Sequence, residues 1–280
     1  MHRALEIAAQ GVVLAIAAFA LVVVGYLGGS FLLMAAHTER RPFGASLRAI
    51  LREATLVILT QPLLPLYYLI GRRMGGAVRD AADGLRAVPV VFVHGYMQNR
   101  VGFVALARAL ARRGLGPLYG FNYPWWAALD ANVRRLERFV AQVCDETRAP
   151  AVDLVCHSMG GLVAMEMMRR TAASAEVPLR VRRCVTIATP HAGIAWRGPI
   201  FGIGAANLRR GSKLLAEHAG HVLSVPCLSV YSSHDNIVHP KSTSQLSARG
   251  GRDVEVAGAG HLAILFAPDV ADHVAAFLAE

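Results

Sequence analysis

The sequence predicts an α/β fold with a mostly parallel central sheet of about six strands, preceded by an N-terminal transmembrane-helix region. Three observations carry that expectation. From Ile7 to Ala36 no side chain is charged. From Val88 onward, short apolar runs alternate with amphipathic helical stretches, as in a sheet covered on both faces. One of those runs ends on a serine just before an apolar helical stretch. Residues 1–85 then form an anchor region and 86–280 an α/β domain, within the reach of a single domain at ~150 residues each.

A helix rises 1.5 Å per residue, so about 20 apolar residues cross the ~30 Å hydrocarbon core. The run over about 7–36 is long enough to do so with tilt. A cleaved secretory signal competes with this reading, and Gly28 and Ser30 offer a small-x-small pattern. Its apolar part would be only ~7–15 residues long behind a basic start. Here Arg3 is the one cation ahead of the run, which favours an uncleaved anchor. A second apolar run, 54–70, holds Pro62 and Pro65, which interrupt helical hydrogen bonding. It fits a kinked second span, an interfacial or re-entrant segment, or a helix packed on the following domain. Arg40, Arg41, Arg48 and Arg52 lie between the runs, and Arg72, Arg73, Arg79 and Arg86 follow them. Both flanks are therefore basic, and the positive-inside rule does not separate the two orientations. The expected location is a membrane, held by one or two spans.

In the α/β part the predicted strands are Val88–Val93, Leu118–Asn122, Ala151–Cys156, Arg183–Ala188, Cys227–Tyr231 and Asp253–Ala257. Helices are predicted over Val101–Arg113, over Asn132–Arg148, from Met159 onward, and over about Val270–Leu278. The second has Val133, Leu136, Val140 and Val143 on one stripe and Arg134, Arg135, Glu137 and Arg138 opposite, with Asp130 as an expected N-cap.

Hydrophobic residues make up 54% and charged residues 17%, which excludes a disordered chain. Against 19 Asp and Glu stand 29 Lys and Arg, a net +10. That charge suits an anionic lipid surface; it is spread along the chain without a nucleic-acid motif, so no nucleic-acid partner is expected. Cys144, Cys156, Cys184 and Cys227 form no CxxC pair and read as small core residues. The 11 histidines show no HExxH pattern, and no phosphate loop is present, so neither metal nor cofactor is expected.

The most informative stretch is Val152-Asp153-Leu154-Val155-Cys156-His157-Ser158-Met159-Gly160-Gly161. A serine on a sharp strand-to-helix turn has strained backbone, and the residues two before and two after it must be small. Cys156 and Gly160 meet that demand. The helix that follows offers free N–H groups to a developing anion. Here the chain resembles the α/β-hydrolase superfamily, in its bacterial triacylglycerol lipase and esterase form, with Cys156 where the usual G-x-S-x-G elbow has glycine. Further motifs follow in the family's order. Val90–Val93 leads into His94-Gly95-Tyr96, Ala188-Thr189-Pro190-His191 resembles the segment leading into the cap, and Asn207–Leu215 resembles the one after it. Ser232–Pro240 holds Asp235 past a late strand, and Gly260-His261 follows the last strand.

The resemblance covers roughly Val88 to Glu280. It implies Ser158 as nucleophile, His261 as base and Asp235 as acid, in the Ser…Asp…His order. It also implies an oxyanion hole from the backbone N–H groups of Tyr96 and Met159. His94 is expected to shape its loop, with His239 or His234 as rival bases and Asp253 as a rival acid. The implied activity is hydrolysis of carboxylic (lipid or acyl) esters by a membrane-anchored lipase or esterase. A thioesterase, acyltransferase or amidase would use the same triad, and a silent membrane-tethered binding module is the alternative of another class. The insert between Ala192 and Val225 is too short for a large lid. Ile194, Trp196, Ile200, Phe201 and Ile203 are candidates to line an acyl groove, with Trp125 and Trp126 on a neighbouring loop.

Overall fold

The computed structural model describes residues 2–38, 42–69, 71–76, 88–174, 178–198 and 200–280. The 85/86 boundary and Arg40, Arg41, Arg79 and Arg86 lie outside the described residues.

Helix α1 (His2–His37) contains Ala9–His37, long and apolar enough to cross a membrane. Among its described side chains, Val23, Leu27, Phe31 and Met34, spaced three or four residues apart, form a buried stripe that packs on α2 (Phe43–Thr60) around Ala49. The second apolar run differs from the expected 54–70. Helix α2 begins at Phe43, ahead of Arg48, Arg52 and Glu53, and passes at Gln61 into a 3-10 helix over Gln61–Tyr68. Pro62 sits in the first turn of that 3-10 helix, where a missing N–H costs nothing, so it ends the α segment without ending the helical course. Gly44–Leu66 is likewise long and apolar enough to cross a membrane. Glu53 is tolerated in it because that side chain is buried against the α/β domain, while Leu47, Leu51, Leu59 and Leu63 are exposed.

The domain is built on a seven-stranded sheet: β1 (Arg73–Gly75), β2 (Val90–Val93), β3 (Leu118–Phe121), β4 (Val152–His157), β5 (Val181–Ile187), β6 (Cys227–Ser232) and β7 (Arg252–Val256), in the order β1-β3-β2-β4-β5-β6-β7. Strands β2 to β7 run parallel, and β1 is antiparallel to β3. The six expected strands all form. A seventh, β1, joins them at the edge; three residues carry no periodicity, and pairing with β3 alone makes them a strand.

Helices α3 (Val104–Arg112), α4 (Leu129–Thr147), α5 (Met159–Ala172), α6 (Lys213–Ala219) and α7 (Pro268–Ala279) surround the sheet. Val133, Leu136 and Val140 of α4 and Leu162 and Val163 of α5 pack on one face. Leu106 and Leu110 of α3 and Val270 and Val274 of α7 cover the other. The short α6 was not predicted. Asp130 is not the N-cap of α4: Ala128 holds that position, and the Asp130 carboxylate sits inside the first turn, paired with Arg134 and Arg170. Two charge-assisted partners outweigh one capping N–H. All four cysteines are buried and free.

Candidate active site

Parallel strands bring their C-terminal ends to one edge of the sheet, where the loops after β2, β4, β6 and β7 meet. Ser158 stands between β4 and α5 with φ 52° and ψ −125°, a backbone conformation costly for a non-glycine residue. The surroundings enforce it. The Ser158 N–H donates to Ile187 O at 2.9 Å. A Cβ on Gly160 would lie 2.3 Å from Val93 O, and one on Gly161 would lie 2.1 Å from Thr189 Oγ1. The small residues after the serine are thus required by close packing against β2 and the Thr189-Pro190 turn.

The Ser158 hydroxyl lies 2.9 Å from His261 Nε2, and His261 Nδ1–H donates to Asp235 Oδ2 at 2.9 Å and Oδ1 at 3.1 Å. Asp235 is buried, and its Oδ1 also accepts from the N–H groups of Ile237 and Val238, both at 2.8 Å. Burial opposes its ionisation, but His261 and those N–H donors win and hold its carboxyl below the usual range. Burial likewise opposes protonation of His261. The charge and hydrogen bond of Asp235, with Glu53 behind, outweigh it and raise the imidazole above its ordinary value.

The other expected positions fall around this chain of hydrogen bonds. His94 is buried and pushed down to about 4 by desolvation. Its Nδ1–H donates to Gly95 O, the Tyr123 N–H donates to its Nε2, and the Tyr123 hydroxyl donates to its carbonyl. That is the loop-shaping place expected of it. Met159 begins α5 directly after the serine, and Tyr96 follows Gly95 on the loop after β2, where a Cβ on Gly95 would lie 2.9 Å from Ser158 Cβ. Among the described residues, none accepts from either backbone N–H. The Tyr96 hydroxyl ties its loop to the cap, donating to Phe201 O at 2.7 Å and accepting from Phe201 N at 3.0 Å. The rivals are engaged elsewhere: His239 against His37, His234 Nδ1 with Ser233 and Gly258 N, and Asp253 with Leu246 and Ser247 N.

Of the candidate groove residues, Trp126, Trp196, Phe201 and Ile203 are exposed, whereas Ile194 is buried. The Ile203 N–H donates to Trp126 O, which joins the cap to the Trp125-Trp126 loop. Helix α6, after the cap, is tied to α5 by Glu166, whose buried carboxylate accepts from His218 as well as from Arg169 and Arg170 of its own helix.

Three residues at the site were not anticipated. His157 Nε2–H donates to His261 O at 3.0 Å; Asn236 Oδ1 accepts from His261 N at 3.0 Å; and Glu53 accepts from Leu262 N and Ala263 N at 2.8 and 2.7 Å. The signal for His157 and Asn236 was adjacency to Ser158 and Asp235. For Glu53 it was a lone acid in an apolar helix, which is rarely there without a task.

Sheet order, elbow and loop placement are those of the α/β-hydrolase fold. A family model described as a domain of unknown function (DUF7379) matches residues 75–196, less than half of the chain. Among solved structures the chain is similar to Aspergillus fumigatus lipase B (15% identity, TM-score 0.61, covering 74% of this chain and 55% of that one). It thus spans about half the length of that lipase. It is also similar to the mature Bacillus licheniformis lipase BlEst2 (16%, TM-score 0.57, 69% of this chain and 91% of that one). The esterase EaEST from Exiguobacterium antarcticum follows (15%, TM-score 0.53, 74% of this chain and 100% of that one).

Proposed function

We propose that the protein is a membrane-anchored serine hydrolase that cleaves carboxylic esters of lipid or long-chain acyl type. The observation that carries this reading is the unbroken chain from the Ser158 hydroxyl through His261 to buried Asp235. Ser158 Oγ attacks the ester carbonyl carbon while its proton passes to His261 Nε2, and Asp235 stabilises the imidazolium. The carbonyl electron pair moves onto oxygen, and the Tyr96 and Met159 N–H groups donate to the resulting oxyanion. Collapse expels the alcohol, which takes the proton from His261 and leaves an acyl group on Ser158. Water then attacks that ester, gives its proton to His261, and the carboxylic acid departs as Ser158 regains its own.

The exposed Trp126, Trp196, Phe201 and Ile203 support an apolar acyl group. The outward leucines of α2 and the apolar surface of α1 support a substrate drawn from a bilayer. The test is hydrolysis of a chain-length series of p-nitrophenyl esters by the full-length protein in detergent, with Ser158→Ala alongside. Activity confined to the native serine and rising with acyl length is expected. Equal rates for the two proteins would sink the assignment, and a preference for acetate would remove the lipid part of it.

A further inference from the structure

We infer that Glu53 of α2 is a positioning residue for His261, so that the anchor segment is a working part of the active site and not only a tether. This rests on the reading of Ser158, His261 and Asp235 given above. Glu53 is 2% exposed, in a helix whose Leu51 and Leu59 point outward. Its two oxygens divide their work: Oε1 accepts from Leu262 N at 2.8 Å and Oε2 from Ala263 N at 2.7 Å. Those are the two peptide groups that directly follow His261.

The residue before His261 is fitted to the same carboxylate. A Cβ on Gly260 would lie 2.5 Å from Glu53 Oε2, so only glycine lets the acid come this close. The His261 peptide itself is held by Asn236 Oδ1 on its N–H and His157 Nε2 on its carbonyl. Asn236 in turn donates to Ser30 Oγ of α1 at 2.7 Å. Both apolar helices therefore reach the loop that carries the base, through polar side chains turned inward. An ionisable group inside an apolar helix is costly and persists where it has partners and a task. Here the partners are two N–H groups that would otherwise be buried and unpaired.

A purely structural acid would lower the folded fraction and leave the chemistry of the folded molecules alone; a positioning acid changes kcat and the titration of the base. The charged and titratable groups facing His261 are Asp235 from the β6 loop, Glu53 from α2, and the His157 ring at 4.8 Å from β4. Glu53→Gln removes an acid that raises the His261 pKa and turns an amide N–H₂ toward a backbone N–H that needs an acceptor.

The experiment uses full-length protein in detergent: wild type, Glu53→Gln, Gly260→Ala, and Leu59→Ala on the outward face of α2 as control. The readouts are kcat and KM on a p-nitrophenyl ester, the rate of fluorophosphonate labelling at Ser158, the pH profile, and the folded fraction from thermal melting. For Glu53→Gln the expected result is a fall in kcat on the order of 10²-fold per folded molecule. KM should stay nearly constant, labelling should slow in parallel, and the acid limb should move to lower pH. Gly260→Ala keeps the acid and displaces it, so it should lose kcat and labelling rate even if Glu53→Gln fails to fold. Leu59→Ala should match wild type. Unchanged kcat and labelling in the folded Glu53 and Gly260 variants would overturn the inference while leaving the serine hydrolase reading intact. A wild type that is neither active nor labelled at Ser158 would overturn both.

Discussion

Helices α4 and α2 obey one rule in opposite directions. In α4, Val133, Leu136 and Val143 are buried against the sheet, and Arg134 and Arg138 of the opposite face stand in the open. In α2, Leu47, Leu51 and Leu59 stand in the open, and Glu53 is buried. In α4 the exposed face is charged and in α2 it is apolar, while the buried side of α2 carries Glu53 beside the partly buried Leu56 and Val57. The inversion teaches that α2 meets the domain through a polar contact as well as apolar ones, and that its outward leucines suit the proposed membrane anchor.

The largest effect that sharpens this contrast belongs to the domain. His261→Ala should lower kcat by about 10⁶-fold, by analogy with loss of the base in a serine protease. The loss should be equal for soluble and for bilayer-embedded esters in parallel assays, whereas His239→Ala should retain most of the activity. Next comes the core. Leu136→Ala should destabilise the fold by about 2–5 kcal/mol in denaturant unfolding of the detergent-solubilised protein. Below that lies the titration of the base. His261 must be neutral to take the serine proton, and its pKa is raised above the ordinary 6.5. The rate should therefore fall about tenfold per pH unit on an acid limb that lies above that value, as a kcat/KM profile would register. A limb at or below it would mean that Asp235 does not hold the imidazolium. The smallest effect is on the outward face: Leu59→Ala should change unfolding stability by no more than about 0.5 kcal/mol yet weaken flotation with liposomes. A loss as large as that of Leu136→Ala would show that this face packs on protein, and the contrast between the helices would fail.

The strands of the parallel sheet were legible because a strand buried on both faces reads as an unbroken apolar run, as Val152–Cys156 does. The elbow was legible because its backbone strain forces small residues at fixed distances from Ser158, and packing around Gly160 bears that out. Asp235 and His261 were found through motif order, and they meet Ser158 in space. What escaped was short or distant. Strand β1 and helix α6 are too brief for a period to register. The start of α2 was hidden because Arg48, Arg52 and Glu53 broke the apolar run that marked it, and Glu53 read as a flank. Its contact with Leu262 joins positions 209 apart, a pairing that only the tertiary fold creates.

That separation also orders events in time as the chain is made. Glu53 leaves the ribosome first, then Ser158, then Asp235, and His261 last. The elbow can be complete while the base is still missing. Once the base arrives, its loop can meet Glu53 on a helix made 209 residues before Leu262. A product that stops before His261 carries a serine with no base to draw off its proton. Through synthesis, then, the proposed hydrolytic site stays inert until both ends of its construction have met.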